Sequence, residues 1–80
     1  MRYKTLETVV LDRDLPDHGL RKGDLGTVVQ LYETDGLGGL EVEFVSASGR
    51  TEALVTLKEA DVRPVADTDL IAVRRFDRSA

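Results

Sequence analysis

The chain has 80 residues, of which 41% are hydrophobic and 32% are charged, and it contains no cysteine. A chain of this length forms one small domain, and the lack of thiols excludes disulfide bonds, thiolate catalysis and zinc sites built on sulfur. The formal net charge is -4, from 11 basic and 15 acidic residues, which disfavours nucleic acid as a partner because such binding depends on neutralised phosphates.

The beginning of the sequence shows no secretory signal. Its apolar stretch has only three residues and is flanked by acidic residues on both sides. No apolar run approaches the roughly 18 residues that a membrane-spanning helix requires. We therefore expect a cytoplasmic protein.

Two strands are predicted in the first part of the chain. Residues 8–11 (TVVL) form a short β-branched run that ends in a long charged loop, residues 12–22. Residues 25–32 (LGTVVQLY) form a second run of β-branched and aromatic residues. Gly23 and Gly26 stand at its entrance, where a turn or a bulge would require positive backbone angles.

Two further strands are predicted to form a hairpin after a stretch of turn-forming residues at 33–39. Residues 40–45 (LEVEFV) alternate with period two, so that apolar side chains point inward and acidic ones point toward water. The inward set is Leu40, Val42 and Phe44, and the outward set is Glu41 and Glu43. Residues 51–57 (TEALVTL) alternate again, with Ala53, Val55 and Leu57 on one face and Glu52, Leu54 and Thr56 on the other.

The remaining residues complete the predicted fold. Residues 58–61 (KEAD) suffice for one helical or 3-10 turn, and residues 62–65 (VRPV) are typical of an edge strand, because a proline cannot donate a ladder hydrogen bond. Residues 70–74 favour a further strand, with a helix or a docking segment as open alternatives. The pattern predicts an all-β fold, a small SH3-like (KOW-like) bent barrel of five to six strands. We assign residues 1–74 to this single domain and expect residues 75–80 to fray.

Several of these segments together resemble a known family. They are the early VVL run, the pattern D14-L-P-x-H-G-L-x-x-G-x-x-G-T-V-V29, E41-V-E-F44, T51-x-A-L-V-T-L57 and D61-V-R-P-V65. The chain resembles, over essentially residues 3–74, a family of small bacterial proteins known only as a domain of unknown function. The resemblance implies an SH3-like barrel and no established activity.

A shorter likeness concerns residues 19–31 (GLRKGDLGTVVQL). This stretch is similar to the KOW element of ribosomal and transcription-factor barrels, in which a glycine-bearing loop and strand can meet RNA. The acidic surroundings in this chain depart from that pattern, which argues against RNA as the partner.

Catalytic and metal-binding residues are not indicated. His18 and its acidic neighbours lie in a loop typical of a solvated surface, whereas acid-base catalysis needs a cleft that excludes water. The spacing of Asp12, Asp14 and Asp17 does not fit an EF-hand, because Pro16 stands where a ligand is needed. Residues 36–39 (GLGG) precede a strand rather than the helix of a dinucleotide site. We expect no enzymatic activity, no metal and no cofactor.

Binding surfaces are the better-supported class of site. Exposed apolar residues ringed by acids are typical of protein interfaces, and outward acids on neighbouring strands would share one face. The candidate partner-binding residues are Leu15, His18, Leu20, Tyr32, Glu41, Glu43, Glu52 and Leu54. A structural alternative places Leu15 and Leu20 in a small core beneath the long loop.

These observations predict a non-enzymatic protein-interaction module, a small accessory or adaptor barrel of the antitoxin-like kind. The alternative is a KOW-like nucleic-acid-binding barrel that uses Arg21, Lys22 and a C-terminal arginine cluster. For that cluster, comprising Arg74, Arg75 and Arg78, pairing with the acids of the same chain is the favoured interpretation. We expect a monomer or a homodimer formed through edge strands.

Overall fold

A computed structural model describes residues 2–34 and 37–78, and in these residues the protein is all-β. The strands are β1 (Thr8–Leu11), β2 (Leu25–Thr34), β3 (Leu37–Val45), β4 (Thr51–Lys58) and β5 (Val62–Pro64). Two 3-10 turns, Pro16–His18 and Glu59–Asp61, connect β1 to β2 and β4 to β5.

The five strands form one antiparallel sheet in the order β4-β3-β2-β1-β5. Register shifts mark two bulges that bend the strands: one in β2, where Val29 has no partner in β3, and one in β4, where Glu52 has no partner in β3. The all-β prediction and the predicted turn near residues 58–61 are confirmed. The arrangement is consistent with an SH3-like fold, with β4 and β5 as the two edges of the sheet.

The alternation predicted for β3 is confirmed. Leu40 and Val42 are 0% exposed and Phe44 is 4% exposed, while Glu41 and Glu43 lie on the opposite face and are half-buried. On β4, the buried side chains are Val55 and Leu57, and the exposed ones are Leu54 and Thr56. The inward side chains of both strands join one hydrophobic core. Period-two alternation therefore places the candidate site residues of this hairpin on its outward face.

The two glycines at the entrance of β2 have different physical roles. Gly23 has a φ of +98°, as a turn requires. Gly26 lies within β2 and has no positive φ, so the angle predicted for it is wrong. A Cβ at Gly26 would come within 2.5 Å of Val42 Cγ1 and 2.9 Å of Phe44 Cε1. Close packing of the core, rather than a turn, requires glycine there.

The turn predicted at residues 33–39 is too long. β2 continues to Thr34 and β3 begins at Leu37, so that Glu33 pairs with Gly38 and Tyr32 pairs with Gly39. Residues 35 and 36, which belong to the predicted loop, lie outside the described residues. Strand pairing therefore extends into this glycine-rich stretch, although glycine weakens the interior of a strand.

The strand predicted for residues 70–74 is wrong. Residues 65–78, called here the C-terminal segment, contain no strand or helix. A single turn, in which the Asp69 amide donates to the Ala66 carbonyl at 3.0 Å, redirects the chain after β5. Side-chain contacts with the sheet, described below, hold this segment in place of ladder hydrogen bonds.

Candidate functional site

The outward side chains of β2, β3 and β4 form one continuous surface, called here the outer face. The strand register sets Glu43 between Thr27 and Leu54, and sets Glu41 between Gln30 and Thr56. Tyr32 lies one row further along β2 on the same side. The structure therefore brings together four of the predicted partner-binding residues: Tyr32, Glu41, Glu43 and Leu54.

Hydrogen bonds organise the polar part of the outer face. The Tyr32 hydroxyl donates to Glu41 Oε2 at 2.9 Å, and Thr56 Oγ1 donates to Glu41 Oε1 at 3.0 Å. Thr51 Oγ1 donates to Glu43. The hydrogen bond to Glu41 raises the pKa of Tyr32, because it stabilises the protonated phenol. Among the described residues, neither Glu41 nor Glu43 forms an ion pair, so no close cation lies beside either carboxylate.

The apolar part of the outer face lies on the edge of the sheet. Leu54 is 56% exposed, and its strand, β4, pairs with β3 alone within the described part of the chain. An edge strand of this kind presents backbone donors and acceptors to which another extended chain can pair. Leu54 therefore combines an exposed apolar side chain with an adjacent unpaired backbone edge.

Two of the predicted partner-binding residues lie in the core instead. Leu15 is 7% exposed and Leu20 is 3% exposed, and their backbones exchange hydrogen bonds at 2.9 and 3.1 Å. This pairing closes the long loop, and both side chains point inward. The alternative that placed Leu15 and Leu20 in a small core beneath the loop is therefore the one observed. His18 is exposed on the 3-10 turn between them.

Glu52, another of the predicted partner-binding residues, forms an ion pair within the chain instead of contributing to the outer face. Its side chain is 6% exposed, and its carboxylate accepts hydrogen bonds from Arg78. Arg78 Nε lies 2.9 Å from each carboxylate oxygen, and Arg78 Nη2 also donates to Oε2. The hydrogen bond from Arg78 lowers the pKa of Glu52 to about 2. The charge of Glu52 is thus compensated within the chain.

A second ion pair fastens the C-terminal segment to the turn before β2. Arg74 Nε lies 2.8 Å from Asp24 Oδ1, and Arg74 Nη2 lies 2.6 Å from Asp24 Oδ2 and 2.9 Å from the Gly19 carbonyl oxygen. Burial raises the pKa of Asp24, but hydrogen bonds from the Arg74 side chain and the Arg21 amide lower it more, so it lies below its ordinary value. Pairing with acids of the same chain, the interpretation favoured for the arginine cluster, is confirmed for Arg74 and Arg78, whereas Arg75 forms no ion pair with the described residues.

An aromatic contact lies between these two ion pairs. The ring of Phe76 packs against the core, and a Cβ placed on Gly19 would approach that ring to 3.1 Å. Residues 74, 76 and 78 thus face the sheet in alternation, as the side chains of an extended chain do. Phe76 was not among the predicted site residues, although the pattern R-x-F-x-R over residues 74–78 offered a signal for it.

The C-terminal segment and the end of the sheet enclose a groove of about 730 Å³. Its apolar lining on the domain side includes Leu20, Leu25 and Phe44. A third ion pair, between Arg63 and Asp69 at 2.8 and 2.9 Å, holds the start of the segment beside β5. One side of the groove is therefore formed by the C-terminal segment.

Over residues 2–34 and 37–78, no group of three or more histidine, cysteine or acidic side chains is placed to hold a metal ion. The same part of the chain has no helix with the length and apolar character needed to cross a membrane.

The comparisons with known proteins identify a family. A family model described as "Domain of unknown function (DUF4926)" matches residues 5–64, which are 60 of the 80 residues. This confirms the resemblance drawn from the sequence motifs. All five strands lie within the matched residues, and the C-terminal segment lies beyond them. No curated protein and no solved structure matches the chain.

Proposed function

We propose that this chain, which belongs to the family described as a domain of unknown function (DUF4926), is a non-enzymatic protein-interaction module. One observation carries the proposal: Leu54 is 56% exposed on an edge strand, beside the acidic residues of the outer face. An exposed apolar side chain surrounded by polar groups is the usual composition of an interface centre and its rim.

The charges of the outer face define the partner. Glu41 and Glu43 have no close cation among the described residues, and an uncompensated acidic surface attracts a basic one. Such complementarity raises the association rate and orients the two proteins more than it adds affinity. We infer a partner protein with an apolar contact for Leu54 and basic residues around it.

The edge of β4 supports a specific mode of binding. β4 has eight residues, long enough for a partner strand to add to the sheet by backbone hydrogen bonds. A second copy of the chain would use the same edge, so a homodimer is an alternative outcome of the same chemistry. We place this activity in the bacterial cytoplasm, in an accessory role of the antitoxin-like kind.

The nucleic-acid alternative has weaker support. Of its proposed cationic set, Arg74 and Arg78 are engaged with Asp24 and Glu52. An arginine held in a forked pair must first break it to neutralise a phosphate. This observation favours a protein partner over nucleic acid.

The test compares wild-type chain with a matched pair of variants in affinity capture from the native cytoplasm. Leu54→Lys alters the outer face, whereas Leu70→Lys alters a leucine that is 94% exposed on the C-terminal segment. We expect wild type and Leu70→Lys to retain one partner protein after nuclease treatment and in high salt, and Leu54→Lys to lose it. Equal retention by both variants would contradict the proposal, and recovery of nuclease-sensitive, salt-sensitive material would favour the KOW-like alternative.

A further inference from the structure

The groove beneath the C-terminal segment is lined by two parts of the chain, the domain and the segment itself. Beside it, the segment contacts Gly19, Asp24, Ser46 and Glu52, called here the docking surface, which all lie within residues 5–64, the stretch that the family model matches. The contacting groups of the segment come from residues 74–78, beyond that stretch.

The segment is held on the docking surface by side chains alone. Within the described residues, no backbone-to-backbone hydrogen bond joins residues 70–78 to the sheet. The contacts come from alternate positions: Arg74 to Asp24 and the Gly19 carbonyl, Phe76 to the surface at Gly19, and Arg78 to Glu52 and Ser46. An extended peptide that carries these three side chains at the same spacing has what the contacts require, whichever chain it belongs to.

The docking surface is chemically matched to such a peptide. Asp24 and Glu52 each present a carboxylate that accepts a guanidinium through both oxygens, and this forked geometry selects arginine over lysine. Gly19 leaves room for an aromatic ring, because a Cβ there would lie 3.1 Å from the ring of Phe76. Two acidic ends and an aromatic position between them describe a site for an arginine-x-aromatic-x-arginine sequence.

The outward side chains of the segment play no part in this site. Leu70 and Val73 are 94% and 96% exposed, so their side chains contribute little to holding the segment against the domain. The information for binding lies in Arg74, Phe76 and Arg78.

We propose that this docking surface is a binding site for an extended partner peptide of the pattern arginine-x-aromatic-x-arginine, and that residues 74–78 occupy it as an internal competitor. A tethered ligand has a high effective concentration, so the wild-type chain binds such a peptide only when its own segment leaves. The site is separate from the outer face and does not depend on the function proposed for Leu54.

The test uses the full chain with its own segment weakened. The triple variant Arg74→Ala, Phe76→Ala, Arg78→Ala is titrated with a fluorescently labelled synthetic peptide, AVRRFDR, which has the sequence of residues 72–78. We expect the triple variant to bind this peptide about ten-fold or more tightly than the wild-type chain does, because the variant has lost the internal competitor. The peptide AVARADA, which lacks the three side chains, is expected not to bind. The single variant Phe76→Ala serves the same comparison if the triple variant does not fold.

Further variants test the residues of the docking surface. Asp24→Asn and Glu52→Gln, added to the weakened chain, are expected to abolish peptide binding while Leu54→Lys leaves it unchanged. Equal peptide affinity of wild-type and weakened chains would overturn the proposal, as would binding that survives Asp24→Asn with Glu52→Gln. A dimer of the wild-type chain formed by exchange of this segment, measured by sedimentation and abolished by Phe76→Ala, would overturn it in favour of a second copy as the occupant.

Discussion

Arg74 and Asp24, separated by 50 residues in sequence, form a forked ion pair with contacts of 2.8 and 2.6 Å. The pair is partly shielded from water, since the two side chains are 27% and 17% exposed. Shielding and a forked geometry distinguish it from a surface ion pair, which contributes little to stability. This contact holds the C-terminal segment against the turn that precedes β2.

Removing Arg74 is therefore expected to destabilise the fold. We expect Arg74→Ala to lower the free energy of unfolding by about 1 to 2 kcal/mol, because Asp24 would keep its burial and lose its cation. Chemical denaturation monitored by circular dichroism measures the change. Arg75→Ala is the control, since the Arg75 side chain is exposed, and its effect should stay within about 0.5 kcal/mol. Equal effects of the two variants would show that the pair does not hold the segment.

The Glu52–Arg78 pair predicts a dependence on acid. The hydrogen bond from Arg78 lowers the pKa of Glu52 to about 2 from 4.5, so the unfolded chain binds the proton at a higher pH than the folded chain does. The stability that this pair contributes is fully present above pH 4.5 and is lost as the pH falls through about 2. A carbon-13 NMR titration of the side-chain carboxyl groups measures the midpoint directly.

The same titration contains its own control. Arg78→Ala is expected to return the midpoint of Glu52 toward 4.5 and to leave Asp69, whose pKa of about 2 depends on Arg63, unchanged. A wild-type Glu52 that titrates near 4.5 would contradict the contact between the C-terminal segment and β4.

The hydrogen bond between Tyr32 and Glu41 on the outer face is expected to affect the ionisation of the Tyr32 phenol. The hydrogen bond to Glu41 raises the pKa of Tyr32, and burial raises the pKa of Tyr3, so both of the chain's tyrosines are expected to ionise above pH 10.0. Ultraviolet absorbance follows phenolate formation. Glu41→Gln removes the acceptor's charge and should lower the midpoint of one tyrosine, whereas Glu43→Gln, whose carboxylate accepts from Thr51 instead, should leave both unchanged. A Glu41→Gln titration that matches wild type would contradict this contact.

The two glycines before and within β2 predict different costs of substitution. Gly26→Ala would place a Cβ 2.5 Å from Val42 Cγ1, and we expect it to lower the free energy of unfolding by about 1 to 3 kcal/mol through core overpacking. Gly23→Ala meets no atom within 4 Å, so only its φ of +98° opposes the change. We expect a smaller cost of about 1 kcal/mol, because the penalty is backbone strain alone. The reverse order, measured by thermal or chemical denaturation, would contradict the packing described for β2 and β3.

Local patterns in the sequence predicted the five strands, though not their full extent, and the outward positions of Glu41 and Glu43. Alternation in β3 separates the inward Val42 from the outward Glu41 and Glu43, and this requires only the two-residue period of a strand. Contacts between residues far apart in the sequence could not be predicted in this way. The pairing of Glu52 with Arg78 joins residues 26 apart, and no local period distinguishes Glu52 from the other acids of the hairpin.

The C-terminal segment shows why a strand propensity can fail. Residues 70–74 include Leu70, Ile71 and Val73, whose side chains favour strands, yet this part of the chain forms no ladder. Strand propensity depends on burial against neighbouring strands, and these side chains are exposed while Arg74 and Phe76 face the sheet. The anchors to the domain, rather than the apolar run, determine the course of the segment.

Photocrosslinking in living cells can show whether the outer face is the interaction surface. A photoreactive phenylalanine analogue at position 54, with the more exposed position 70 as the control site, reports what lies against each surface. We predict a nuclease-resistant covalent adduct of defined mass with another protein at position 54, and no adduct of the same mass at position 70. An absence of protein adducts at position 54, or the same adduct at both positions, would contradict the outer face as the interaction surface.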